Sequence, residues 1–136
     1  MIYPQTVTYA LDALCHLARC TPGAYVKVRE ISADLGIPQH FLGKVMSQLV
    51  RKKLLVSSKG PTGGVALKKD PGEVTVADVL SALGASEYLE DKCVLGLGDC
   101  SDQNACPFHT DWGEFKSRIG IVARETTLAA LAGQVS

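Results

Sequence analysis

Cys93, Cys100, Cys106 and His109 fall within one short stretch, CVLGLGDCSDQNACPFHTDW, spanning residues 93–112. Gly96, Gly98, Asp99, Asp102, Asn104 and Pro107 crowd around them, residue types that favour turns over helix or strand. Such a stretch has little apolar interior, so core packing, the ordinary role of one buried cysteine, does not account for three of them. Thiolates take soft metals and iron-sulfur clusters, and imidazole suits iron or zinc, so these four side chains could complete a four-ligand set. The gaps are C-x6-C, C-x5-C and C-x2-H. Structural zinc sites usually use tight C-x2-C or H-x3-H hooks, so the spacing leaves a cluster, a zinc ion and a reversible disulfide all open.

The chain that must position these groups has 136 residues, enough for one domain, or one domain with an appendage. Its five cysteines are an uneven count, and its start, MIYPQTVTYALDALCHLA, lacks a basic segment followed by a continuous apolar run. Both features argue against a secreted disulfide framework and for a cytoplasmic protein. No apolar run approaches the roughly 18 residues of a membrane span. Net charge is zero, yet residues 1–70 carry ten Lys and Arg against four Asp and Glu, and residues 71–136 carry four against ten. A basic first half points to a polyanion as partner, with segregated surface charge as the equally good alternative.

Apolar positions recur at helical spacing from Pro4 to Arg19, with Pro at the start and Thr21-Pro22-Gly23 at the end. Cys15 belongs to the core face of that helix, while Cys20 at its end has no assigned role. Tyr25 to Val28 reads as a short extended piece. A second helix covers Val28 to Leu35 and stops at Gly36; Ile37-Pro38 opens a third, from Gln39 to about Lys53. Two helices around a tight Gly-containing turn form the helix-turn-helix pattern. Phe41, Leu42, Val45, Met46 and Leu49 make the apolar face of the third helix. The other face carries Gln39, His40, Lys44, Ser47, Gln48 and Arg51, groups able to bond phosphates and base edges, or simply a solvated surface. Gly43 lies within that helix at a cost of about 1 kcal/mol relative to Ala, which reflects either close approach of DNA or a tight internal contact.

Leu54 to Ser58 and Val65 to Leu67 read as two strands joined by Lys59-Gly60-Pro61-Thr62-Gly63-Gly64, a hairpin with a basic, glycine-rich tip. After a helix-turn-helix such a hairpin is a wing, and Lys59 with the Gly63 and Gly64 amides would suit phosphate or the minor groove. Thr75 caps a further helix in which Val76, Val79, Leu80 and Leu83 are buried, ended by Gly84. Trp112, Phe115, Ile119 and Val122 recur at spacings of three and four and form a narrow apolar seam on a C-terminal helix.

The succession VREISADLGIPQHFLGKVMSQLVRKKLLVSSKGPTGGVAL, DPGEVTVADVLSAL and the cysteine stretch resembles the Rrf2 family of bacterial winged-helix transcription regulators. The likeness runs from Tyr9-Ala10-Leu11 to Thr127-Leu128-Ala129-Ala130-Leu131, and the KGPTGGVAL wing and triple-cysteine stretch are its specific parts. It implies that Cys93, Cys100 and Cys106 hold an iron-sulfur cluster. The ending CPFHTDW is similar to the branch of iron-sulfur cluster regulators called IscR, where a histidine three residues after the last cysteine is the fourth ligand. That implies His109, and Thr8 occupies the place of the aspartate used by another branch. The resemblance also implies a long C-terminal helix that pairs two subunits, with Thr127 to Leu131 as a short closing helix.

The expectation is a mainly α protein with a small β-hairpin: a winged helix-turn-helix over residues 1–70, then the cluster-binding loop and dimerisation helices over 71–136. Its expected function is that of a homodimeric, cytoplasmic repressor binding double-stranded operator DNA, controlled by an iron-sulfur cluster, with [2Fe-2S] favoured over [4Fe-4S] because imidazole ligation is known for that cluster. The ligands would be Cys93, Cys100, Cys106 and His109, and the DNA contacts Gln39, His40, Lys44, Gln48, Arg51, Lys59, Gly63 and Gly64. Neither membrane nor small-molecule substrate is expected, and no nucleophile-base pair suggests an enzyme. The alternatives are a metal-free thiol/disulfide redox sensor and a small iron-sulfur electron carrier.

Overall fold

A computed structural model describes residues 3–85 and 107–134. Helix α1 (Gln5–Ala18) starts directly after Pro4, whose fixed φ of −61° suits a helix entry. Its inner face carries Val7, Ala10, Ala13, Leu14, Cys15 and Leu17, all buried. The small alanines let neighbouring helices approach, and Leu14 is fully enclosed. Burial pushes the Cys15 thiol above its ordinary pKa, so this cysteine is a neutral core residue, as its place on the apolar face predicts.

Helices α2 (Val28–Leu35) and α3 (Gln39–Arg51) follow, packed on each other and on α1. Gly36 joins them at φ 69°, a left-handed conformation that other L-residues adopt only with strain. The Ile37 amide then donates to the Ser32 carbonyl, and the buried Ser32 hydroxyl donates to the Ile37 carbonyl. The turn is thus closed from both sides, with Ile37 buried behind it. The far end of α3 uses no glycine. Lys53 takes the left-handed conformation at φ 66°, its amide donating to the Val50 carbonyl and that of Leu54 to Leu49, the pairing of a Schellman cap. The helix therefore ends at Arg51, two residues before the end expected at Lys53.

Strands β1 (Leu55–Ser58) and β2 (Gly64–Leu67) pair antiparallel, Leu55 opposite Leu67 and Ser58 opposite Gly64. Val26 adds a bridge to Val65, with both backbone bonds made, so the expected extended piece becomes a third short edge of the wing. A single 3-10 turn (Pro71–Glu73) leads to α4 (Val76–Ala82). The start of α4 is a capping box: the Asp78 amide donates to Thr75 Oγ1, and the Thr75 amide donates to the Asp78 carboxylate. Helices α5 (His109–Glu125) and α6 (Leu128–Gln134) complete the described chain.

The main core crosses residue 70. Ala10, Ala13, Leu14, Ile31, Leu42, Met46, Leu49 and Leu55 share it with Val74, Val79, Ala82 and Leu128. A backbone bridge between Thr75 and Thr127 fastens the join of α5 and α6 beside the start of α4, with the Leu128 amide bonded to the Val74 carbonyl. Because Leu128 is fully buried there, Leu128→Ala should destabilise the whole domain by about 2–5 kcal/mol. Urea unfolding followed by circular dichroism checks this, and a change well under 1 kcal/mol would mean that α6 is not part of the core. Among the described residues no helix is long and apolar enough to cross a membrane.

Candidate nucleic-acid interface

The inner face of α3 is fixed by Leu42, Val45, Met46 and Leu49, all buried. Helical periodicity then sends two neighbouring rows outward, Gln39, Gly43, Ser47 and Arg51 in one, His40, Lys44 and Gln48 in the other. These seven residues line a single open concavity of about 930 Å³. Gln39, His40, Lys44, Ser47 and Arg51 are exposed, whereas Gly43 and Gln48 are half-buried. The polar face expected from the sequence is thus one continuous surface of amides, hydroxyl, imidazole, ammonium and guanidinium. Such groups can bond to phosphates and base edges, and the cations attract a polyanion.

Gln48 is placed less freely than the sequence suggests. Its side-chain amide donates to the Ala82 carbonyl at 3.3 Å, filling an acceptor that the last turn of α4 leaves open. Phe41 also departs from expectation. It is 42% exposed and meets Tyr9 edge-on, ring centroids 5.4 Å apart, because it lies at the margin of the apolar stripe rather than in its middle.

At the wing, Lys59 is exposed. Gly63 is buried and its amide donates to the Gly60 carbonyl at 3.0 Å, so that amide closes the turn. A side chain at Gly63 would overlap the Ser58 carbonyl, and one at Gly64, whose φ is 144°, would overlap the Val26 carbonyl. Gly63 therefore lets the hairpin close tightly on Ser58 and Lys59, and Gly64 lets the wing lie against Val26 and Lys27. Lys27 itself donates from Nζ to the Gly60 carbonyl at 2.6 Å and holds the tip. Sequence spacing gave no sign of this contact, since 33 residues separate the partners and only the Val26–Val65 bridge brings them together.

Of the expected metal ligands, Cys93, Cys100 and Cys106 lie outside the described residues. His109 is the first residue of α5 and is half-buried. Among the described residues no three potential donors group together. The donor chemistry of the four, three thiols and one imidazole, fits an iron-sulfur cluster. Helix α5 has Ala123 as its buried residue, and Phe115, Ile121 and Val122 stand 38%, 46% and 56% exposed. Of the seam expected from spacing, Phe115 and Val122 are thus exposed while Trp112 and Ile119 are half-buried, and Ile121 stands exposed outside it. A shallow trough lined by Gly113, Lys116, Ser117, Gly120, Ile121 and Arg124 runs beside it.

Residues 3–134 match the sequence model of the Rrf2 family, described as an iron-dependent transcriptional regulator. A protein of Aquifex aeolicus, named as a candidate HTH-type transcriptional regulator, is 39% identical over 133 residues, which cover 96% of this chain and 91% of that protein. The HTH-type transcriptional regulator IscR of Cronobacter sakazakii is 30% identical over 123 residues, 90% of this chain and 75% of the relative. Among solved structures, CymR, the global cysteine regulator of B. subtilis, superimposes with a TM-score of 0.80 at 20% identity, covering 98% of this chain and 97% of its own. T. potens IscR does so with a TM-score of 0.74 at 20% identity, covering 98% and 87%. At such identities these two likenesses establish the winged-helix fold.

Proposed function

This chain belongs to the Rrf2 family of transcriptional regulators, and from that premise we propose that it is a cytoplasmic, homodimeric repressor whose operator affinity is set by an iron-sulfur cluster. Transcriptional regulation is a binding function, and no catalytic step belongs to it. The observation that carries the proposal is the continuous polar and cationic concavity along α3, with the basic wing tip beside it in sequence. A helix of this kind enters the major groove, where Gln39, Lys44 and Arg51 read base edges or anchor phosphates and His40 adds a contact. Lys59 extends the contact to the backbone, and Gly63 and Gly64 keep the wing thin enough to lie against it.

Cys93, Cys100, Cys106 and His109 would hold the cluster, in [2Fe-2S] form, as three soft thiolates and one imidazole. When bound, such a group supplies redox and ligand sensitivity. The chain's own residues supply the route to DNA. The cysteine stretch is joined at one end to α4, whose Ala82 carbonyl takes the Gln48 bond from α3, and at the other to α5, which begins at His109. A change in α4 would thereby reach the recognition helix, and one in α5 through its packing on α4, by no more than the differential affinity of the cluster for the two arrangements. The exposed apolar side chains of Phe115, Ile121 and Val122 favour pairing of α5 with a second copy, and the trough at Gly113, Ser117 and Gly120 permits close approach. Pairing would present two winged helices to a palindromic site.

The contacts are tested by titrating wild type, Lys44→Ala and Lys59→Ala against operator and scrambled duplex at two salt concentrations. Lys44→Ala should weaken the operator selectively, by roughly 1–3 kcal/mol for a base contact. Lys59→Ala should weaken both duplexes and lower the slope of affinity with salt by about one. Unchanged affinities in both variants would mean that this face does not enter DNA. A cluster-free protein that instead gains a disulfide among the three cysteines on oxidation would favour the thiol-sensor alternative.

A further inference from the structure

Gly43 stands in the middle of the α3 concavity, and nothing among the described residues requires it. Its backbone is ordinary helix, and a Cβ added there would meet no atom within 4 Å. Glycine kept for a tight internal contact looks different, as Gly63 and Gly64 show, where the same addition would overlap a carbonyl. Of the two explanations that the sequence left for Gly43, internal crowding is therefore removed. A helix interior disfavours glycine relative to almost any other residue, so α3 carries a weakness at a place with room for a side chain. Among the described residues nothing fills that room, and it opens onto the exposed polar face of α3. The surroundings say what kind of surface it is: Gln39 and Arg51 lie on the same row, His40 and Lys44 on the next, groups whose chemistry suits a polar, anionic ligand.

We propose that Gly43 is a specificity-determining position: the edge of a DNA base pair seats against the α3 backbone there, at a distance that a side chain would prevent. The row then works as two long polar side chains, Gln39 and Arg51, at either end of two short positions, Gly43 and Ser47, and operator sequences are sorted partly by which base edge fits the notch at Gly43. The inference rests on α3 entering the major groove. It makes an uncommon demand, since filling the notch should strengthen the free protein while weakening its sequence-specific complex.

The test begins with duplexes selected by the wild-type protein from a random-sequence pool. The enriched duplex and a scrambled one are titrated with wild type, Gly43→Ala, Gly43→Leu and Lys44→Ala, and each free protein is melted. Gly43→Ala should raise the melting temperature and lower affinity for the selected duplex by about tenfold or more, with the scrambled duplex changed by less than about twofold. Gly43→Leu should lose more on the selected duplex. Reselection with Gly43→Ala should alter preference at one or two adjacent base pairs in each half-site. Undiminished affinity of Gly43→Ala and Gly43→Leu for the selected duplex overturns the inference. So does a lowered melting temperature for Gly43→Ala, which would make the glycine a requirement of the fold, and so does an equal loss on both duplexes. If Lys44→Ala loses selective affinity while the Gly43 variants do not, α3 enters DNA and only the notch is refuted. If none of them does, or if no duplex is enriched, the α3 interface fails together with the notch.

Discussion

Replacing Cys93, Cys100 or Cys106 by alanine is expected to abolish the visible iron-sulfur absorption of anaerobically purified protein, each substitution by itself. Removing one thiolate from a four-ligand set leaves an open coordination position, and solvent or exogenous thiol then competes for the iron. Cys15→Ala and Cys20→Ala should leave the spectrum intact. Cys15 is packed in the core with its thiol held neutral, and the Cys20 thiol lies against the His16 carbonyl at the end of α1. His109→Ala should shift or weaken the spectrum without unfolding the protein, because the imidazole, in the first turn of α5, would supply one bond of four. The spectra, with iron and sulfide counted for each variant, decide the ligand set. A normal spectrum in any one of the three cysteine variants removes that residue from it.

The second large effect is expected on α5. Ile121→Glu combined with Val122→Glu should convert a dimer into a folded monomer, since both side chains are about half exposed in the single chain and neither contributes to its core. A carboxylate buried between two helices would be desolvated without a partner, which is costly enough to separate them. Loss of the second winged helix removes the advantage of binding two half-sites at once, so operator affinity should fall by about a hundredfold or more. Sedimentation of both proteins, with circular dichroism to show that the helices persist, checks the first part, and operator titration the second. A double variant that still sediments as a dimer would place the interface elsewhere.

Local signals made much of the fold legible before any coordinates. Gly36 between two amphipathic segments marked the helix-turn-helix, and Thr75 marked the start of α4, where Asp78 completes the capping box. The outward rows of α3 followed from the buried spacing of Leu42, Val45, Met46 and Leu49 alone, and the same residues now line one concavity. What remained hidden depends on distant partners. The end of α3 at Arg51 needs Lys53 in a left-handed conformation, which no composition rule announces for lysine. Lys27 reaches the wing tip only because Val26 joins the sheet, and Gln48 looked like a free DNA contact until Ala82 arrived beside it. Phe41 seemed a core residue because periodicity defines a stripe better than its edges. The cysteine stretch was legible as chemistry, and its ligand set rests on donor types and family likeness, as Cys93, Cys100 and Cys106 lie outside the described residues.

The most direct measurement of the central proposal compares one protein in two states on one duplex. Anaerobically purified protein with its visible absorption intact is titrated against the selected operator, and the same preparation is titrated again after iron and sulfide have been removed and circular dichroism has shown the fold retained. Control of DNA binding by the cluster predicts that the two affinities differ by about fivefold or more, the range of ordinary allosteric coupling, and that the Cys93→Ala protein behaves as the stripped form throughout. Equal affinities in the two states, or a purified wild-type protein that binds the operator fully while containing neither iron nor sulfide, would contradict it.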